Sequence, residues 1–399
     1  MPSFCDTRYT SYSTDHISDN DHIIVDSRQP NRNWSRRSIF IYAICIIFII
    51  ILTIITTSLI IIFKRKPINS TSLNDQNLLL NENKIILNIS NFVKQNNSFS
   101  CQLPKNPDYN KNGIVAAGVF ATSTDELNKL HGPTSVYLDH ERNIYVADTM
   151  NHRIRKYSPG NSDEGLTLID ETSNVNYPHC LFIDHESNHL YFLDQNSQGY
   201  YRVQLLKLNS NLLKSTILVV GNQTRSYGMT LDQYLNIYVT EYNHHRIIKW
   251  LSPDYEQYVI VVENNSNELS YPRSIYFDQI ANNLYIANKN RIHRWSVNLN
   301  KSEIVMQGGS FYPNGIEYDC HGNLYISQDT TIKLISNRTS IHGLDIIGYS
   351  HPGDASIYSK STSTADFYNP EGIYLDKTNG DLYVADSGLN RIHKYAIKN

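Results

Sequence analysis

The chain has 399 residues, a formal net charge of −3 and 18% charged residues. A near-neutral balance gives no electrostatic footing for nucleic acid, which needs a basic face. Five cysteines, at 5, 45, 101, 180 and 320 and with no C-x-x-C pair, exclude a disulfide scaffold, a zinc ribbon and a thioredoxin-type motif.

Residues 1–38 are polar, rich in Ser, Thr, Tyr and Asp, and read as a disordered tail. Residues 39–63 are 25 consecutive positions without a charge, dominated by Ile. As a helix they reach roughly 37 Å, enough to cross a hydrocarbon core of about 30 Å. The run is too long and too far from the N-terminus for a signal-peptide core. Arg28, Arg32, Arg36 and Arg37 precede it, and Lys64, Arg65 and Lys66 follow. Four basic residues against three favour a cytoplasmic N-terminus, hence a type II single-pass protein. Sequons at Asn69, Asn88, Asn96, Asn222, Asn264, Asn300 and Asn337 suit a lumenal or extracellular C-terminal part. Residues 64–109 are Asn-rich and read as a stalk.

From residue 110 to 399 a unit repeats six times. It opens at Pro133, Pro178, Ser226, Pro272, Pro313 and Pro370, with starts 41 to 57 residues apart. That is the period of a propeller blade. Two residues after each start lies a small side chain: Ser135, Cys180, Gly228, Ser274, Gly315 and Gly372. Small residues are needed where strands converge on an axis. Six residues after each start lies Asp139, Asp184, Asp232, Asp278, Asp319 or Asp376, suited to capping a tight turn. Tyr145, Tyr191, Tyr238, Tyr285, Tyr325 and Tyr383 mark the second strand. The third strand is clearest at Arg153, Arg246, Arg291 and Arg391, and the Asp148 to Arg153 spacing fits an ion pair across a hairpin loop. Thr216–Val220, Tyr258–Val262 and Glu303–Met306 read as outer strands. The last unit stops after its third strand, and Ile114–Gly118 is available to supply the fourth and close the ring.

The run Y-V-A-D-x-x-x-N-R-I, at Tyr383 to Ile392 and nearly so at Tyr145 to Ile154, resembles the NHL repeat family. The resemblance implies an all-β, six-bladed β-propeller behind a single transmembrane helix. It also places Thr134, His179, Tyr227, Arg273, Asn314 and Glu371 around one channel mouth, as candidate binding residues. Asp148, Asp194, Glu241, Asn288, Gln328 and Asp386 would form a neighbouring ring, in which a hairpin-fixing role is the simpler reading.

Three activities of related propellers bear on these residues. Peptidyl-hydroxyglycine lyases hold zinc with several Pro-His starts, whereas only Pro178-His179 matches here, and one imidazole makes no three-ligand site. Gluconolactonase-like propellers hold a divalent ion with Glu, Asn and Asp. Asn314, Glu371 and Asp386 are the similar residues, giving a Ca²⁺-dependent lactonase or esterase as the alternative. The RNA-binding propellers of TRIM-type proteins use a basic face that is missing here. No catalytic set is complete, and no cofactor is expected under the favoured reading. That reading is a membrane-anchored binding module for a protein or small-molecule ligand outside the cytoplasm. Cys101 and Cys320 are left as a candidate pair.

Overall fold

The computed structural model describes residues 101–118, 129–210, 212–221, 223–263, 269–308, 312–336, 343–348 and 367–398. The expected tail, the span at 39–63 and the stalk up to residue 100 lie outside these. Among the described residues no helix is long and apolar enough to cross a membrane.

The described strands form six four-stranded antiparallel sheets. The first strand in the chain, β1 (Ile114–Ala117), belongs to the last blade. Blade one is β2 (Pro133–Leu138), β3 (Ile144–Asp148), β4 (Arg153–Tyr157) and β5 (Leu166–Ile169). Blade two is β6 (Cys180–Asp184), β7 (His189–Gln195), β8 (Tyr201–Lys207) and β9 (Ser215–Val220). Blade three is β10 (Met229–Leu231), β11 (Ile237–Glu241), β12 (Arg246–Trp250) and β13 (Tyr258–Glu263). Blade four is β14 (Ile275–Asp278), β15 (Asn283–Asn288), β16 (Arg291–Ser296) and β17 (Lys301–Gln307). Blade five is β18 (Pro313–Tyr318), β19 (Leu324–Gln328), β20 (Thr331–Ile335) and β21 (Leu344–Gly348). Blade six is β22 (Pro370–Leu375), β23 (Leu382–Asp386) and β24 (Arg391–Tyr395), completed by β1. The inner strands contact one another in a full circle, β2 touching both β6 and β22.

The small residue two places into each repeat sits where inner strands of neighbouring blades approach. A Cβ on Gly228 would fall 2.3 Å from the Arg273 carbonyl oxygen, and one on Gly372 2.6 Å from that of Thr134. The second contact joins blade six to blade one. Second strands are buried on both faces: every residue of β3, β11, β19 and β23 is buried. Apolar side chains on both faces are what sheets stacked between two neighbours require.

The repeated Asp caps its turn, and it does more. In blade one, Asp139 accepts from the Asn143 backbone N at 2.8 Å and from the Tyr145 hydroxyl at 2.9 Å. Asp232 takes Asn236 and Tyr238 in the same way, and Asp319 takes Asn323 and Tyr325. The repeated Asp and the repeated Tyr are thus one hydrogen-bonded unit in these three blades. Sequence spacing alone did not link them.

Closure occurs through β1, which pairs antiparallel with β24, Ile114 opposite Lys394. The stretch before it is not a free stalk, which corrects the boundary drawn at residue 110. Leu103 and Tyr109 are buried against blades five and six, and the Tyr109 hydroxyl donates to the Gly380 carbonyl. The Leu103 carbonyl oxygen lies 2.7 Å from His321 Nε2, and the Lys105 carbonyl accepts from Asn323 Nδ2 at 3.2 Å. Cys101 is disulfide-bonded to Cys320, with their Cα atoms 5.7 Å apart. An Asn-rich composition concealed this docking, because it rests on single residues spaced along the segment.

Candidate functional site

The first residue after each repeat start faces the central channel. A β-bulge near the beginning of the inner strand, recorded in blades one, five and six, adds one residue there. The extra residue lets the second and fifth residues of the strand, Thr134 and Tyr137 in β2, face the same way, where strict alternation would oppose them. Two rings of six side chains line one cavity of 680 Å³. The first holds Thr134, His179, Tyr227, Arg273, Asn314 and Glu371, all half-buried. The second, deeper ring holds Tyr137, Phe182, Thr230, Tyr276, Glu317 and Tyr374.

At the mouth the side chains are committed to one another. Thr134 Oγ1 donates to the His179 carbonyl at 2.9 Å. His179 Nε2 lies 2.8 Å from the Gln195 side-chain nitrogen, which requires an unprotonated ring nitrogen there. Burial, reinforced by the guanidinium groups of Arg273 and Arg225, pushes His179 down to about 4. Arg273 reaches over the Tyr227 ring, 5.4 Å from its centroid, and meets Glu371 Oε2 at 3.2 Å. Glu371 also accepts from Asn369 Nδ2 at 2.9 Å. Burial raises the Glu371 carboxyl above its ordinary value, while Arg273 and Asn369 oppose the shift. Asn314 Nδ2 donates to the Pro370 carbonyl at 3.0 Å.

Aromatic rings extend the mouth outward on one side. His179 meets Tyr227 edge-on at 5.1 Å, Tyr227 meets Tyr242 at 5.1 Å, and Tyr242 meets Tyr271 at 5.0 Å. Tyr271 in turn meets His245 at 4.3 Å. Tyr177 and Tyr271, each preceding the proline that opens a repeat, have φ of 47° and 52°. A bulky residue in the left-handed region costs of order 1–3 kcal/mol and is held there by its surroundings.

The neighbouring ring is structural where its contacts are visible. Asp148 is fully buried, accepts from the His131 backbone N at 2.7 Å and pairs with Arg153 at 2.6 Å. Asp194 binds Arg202 Nε at 3.0 Å, and Glu241 pairs with Arg246. Asn288 and Gln328 are buried as well.

The oxygen set of the alternative does not assemble. Asp386 is fully buried, and its carboxylate accepts from the backbone N of Tyr368, Asn369 and Leu389. Its oxygens are thus taken up by backbone N–H groups before β22 and in the β23–β24 hairpin, while the Glu371 carboxylate takes the Asn369 side chain. The Glu371 carboxylate already faces a guanidinium, so a Ca²⁺ ion would meet a positive charge there. These residues do not fit a divalent-metal site. Cys180, the described free thiol, lies in the crowded inner strand, and burial pushes it up to about 11.

An NHL repeat profile matches residues 367–395 of the chain. No curated protein matches the sequence. Among solved structures, an auxiliary nutrient binding protein from Bacteroides thetaiotaomicron is similar at 14% identity and a TM-score of 0.57, over 73% of this chain and 77% of that one. Another, from Bacteroides ovatus, is similar at 14% identity and a TM-score of 0.55, over 74% and 78%. A streptogramin B lyase is similar at 17% identity and a TM-score of 0.50, over 72% and 98%. At these identities the likeness is one of fold: an all-β, six-bladed propeller that carries an NHL repeat.

Proposed function

We propose that this chain is a single-pass, type II membrane protein whose propeller stands outside the cytoplasm and binds a ligand at the channel mouth. The observation that carries this reading is the ring of Thr134, His179, Tyr227, Arg273, Asn314 and Glu371, set on a rigid circle of inner strands and flanked by aromatic rings. A rigid frame with a concave, half-polar centre is how propellers present binding sites. The similar folds include proteins described as nutrient-binding, which is consistent with this use. The membrane anchor rests on the uncharged run at 39–63, and the outward orientation on its flanking charges. Of the sequons, Asn300 is among the described residues and lies exposed after β16.

Two experiments test the proposal. Full-length protein made in glycosylation-competent cells should lose mass on glycosidase treatment, with the propeller protected in sealed microsomes. No mobility change, with protection limited to the N-terminal tail, reverses the orientation. Thermal-shift screening of the purified chain against sugars, carboxylic acids and peptides should yield a ligand whose effect disappears in Arg273→Ala and Tyr227→Ala. Stoichiometric Ca²⁺ together with lactone turnover abolished by Glu371→Gln would instead establish a hydrolase.

A further inference from the structure

The deeper ring is as distinctive as the mouth. Four of its six side chains are aromatic, Tyr137, Phe182, Tyr276 and Tyr374, and one is a buried carboxylate, Glu317. Tyr137 packs on Tyr374 at 4.6 Å and on Phe182 at 5.5 Å, so the aromatic wall continues from blade six through blade two.

Into this wall comes one ammonium. Lys377 sits on the solvent-facing turn between β22 and β23, with its side chain 43% exposed. Its Nζ donates to the Tyr276 hydroxyl at 2.7 Å, lies 5.0 Å from the Tyr276 ring centroid and stands 3.4 Å from Glu317 Oε1. Glu317 also accepts from the Tyr318 backbone N at 3.0 Å. Burial pushes the Glu317 carboxyl up and the nearby ammonium opposes that shift. Aromatic faces around a carboxylate are the chemistry that recognises organic cations. Here the chain's own lysine fills that role from the rim opposite the mouth.

We propose that the deep ring around Glu317 is a binding site for organic ammonium compounds, occupied in the free protein by Lys377. A ligand ammonium entering the channel displaces the Lys377 head group, which swings back to solvent on its exposed stem. Glu317 supplies the counter-charge, the Tyr276 hydroxyl accepts a hydrogen bond, and the rings of Tyr137, Tyr276 and Tyr374 line the pocket. This site does not depend on what binds at the mouth.

The test uses the full chain in non-ionic detergent, with n-butylammonium and choline as probes and n-butanol as the uncharged control. Lys377→Ala should bind n-butylammonium about tenfold tighter than wild type or better, because the internal competitor is gone. Lys377→Gln should behave the same way, so the result does not hang on one variant. Adding Glu317→Gln to either should return affinity to the wild-type level or below, while the unfolding midpoint shows that the ring remains closed. Equal affinity in wild type and both Lys377 variants would overturn the proposal. So would n-butanol binding as tightly as the cation.

Discussion

Arg273 of blade four and Glu371 of blade six meet across the channel mouth at 3.2 Å, although 98 residues separate them in the chain. The blade between them contributes only Asn314 to this ring. Removing the guanidinium leaves a largely buried carboxylate with Asn369 as its remaining partner. Arg273→Ala is therefore expected to cost about 1–3 kcal/mol. Arg273→Ala/Glu371→Gln should be less destabilised than additivity allows, and a double-mutant cycle of unfolding free energies measures the coupling.

The same pair sets a pH dependence. Burial holds the Glu371 carboxyl above its ordinary value of 4.5. Its contribution to stability is fully present below that value and is lost as pH rises through the folded-state value. Glu371→Gln should flatten the stability profile in that window. Arg273→Ala should push the transition higher still, as followed by carboxyl carbon NMR. His179 moves the other way: held down to about 4, it stays neutral in the folded state, and its imidazole signals should not titrate between about pH 5.5 and 8. A midpoint near neutrality would contradict the buried, Gln195-bonded ring.

The Asp–Tyr units predict an acid-sensitive component of stability. The Asp139 carboxyl is opposed by burial, yet Asn143, Tyr145 and Lys156 together hold it below its ordinary value of 3.8. That stability is present above 3.8 and is lost as pH falls through the folded-state value. Tyr145→Phe should cost about 0.5–1.5 kcal/mol at neutral pH, and less in acid. Urea unfolding at both pH values reads the difference.

The docked N-terminal segment predicts a redox effect on stability. Cys101 and Cys320 are 219 residues apart in sequence, so their bond closes most of the propeller into one loop. Reduction, or Cys320→Ser, should lower stability by about 2–4 kcal/mol. Deleting residues 110–120 should cost more, because it removes β1 and exposes the edge of β24.

The architecture was legible because each repeat carries its own copy of the constraints. Pro133, Pro178, Pro272, Pro313 and Pro370 recur with a small residue and an Asp at fixed offsets, and packing demands the same thing in every blade. The mouth followed from those starts. The deep ring did not, because Glu317 and Tyr374 occupy positions that strict alternation turns away from the mouth residues, and the bulges that reorient them leave no residue signature. Lys377 was equally hidden, since it reads as an ordinary turn residue until the channel is closed. Asp386 keeps the structural role that was its simpler reading, its carboxylate accepting from backbone N–H groups before β22 and in the β23–β24 hairpin.

The order of attachments along residues 101–118 has a mechanical consequence. A pull applied at the N-terminal end first meets the Cys101–Cys320 bond, then the buried Leu103 and Tyr109, and only then β1. Without the covalent link, tension would peel β1 from β24 one hydrogen bond at a time and open the ring at blade six. With it, the load enters blade five at Cys320, beside the turn that Asp319 caps. The closing strand is thereby shielded from traction, and the ring can bear tension from one end without unzipping at its seam.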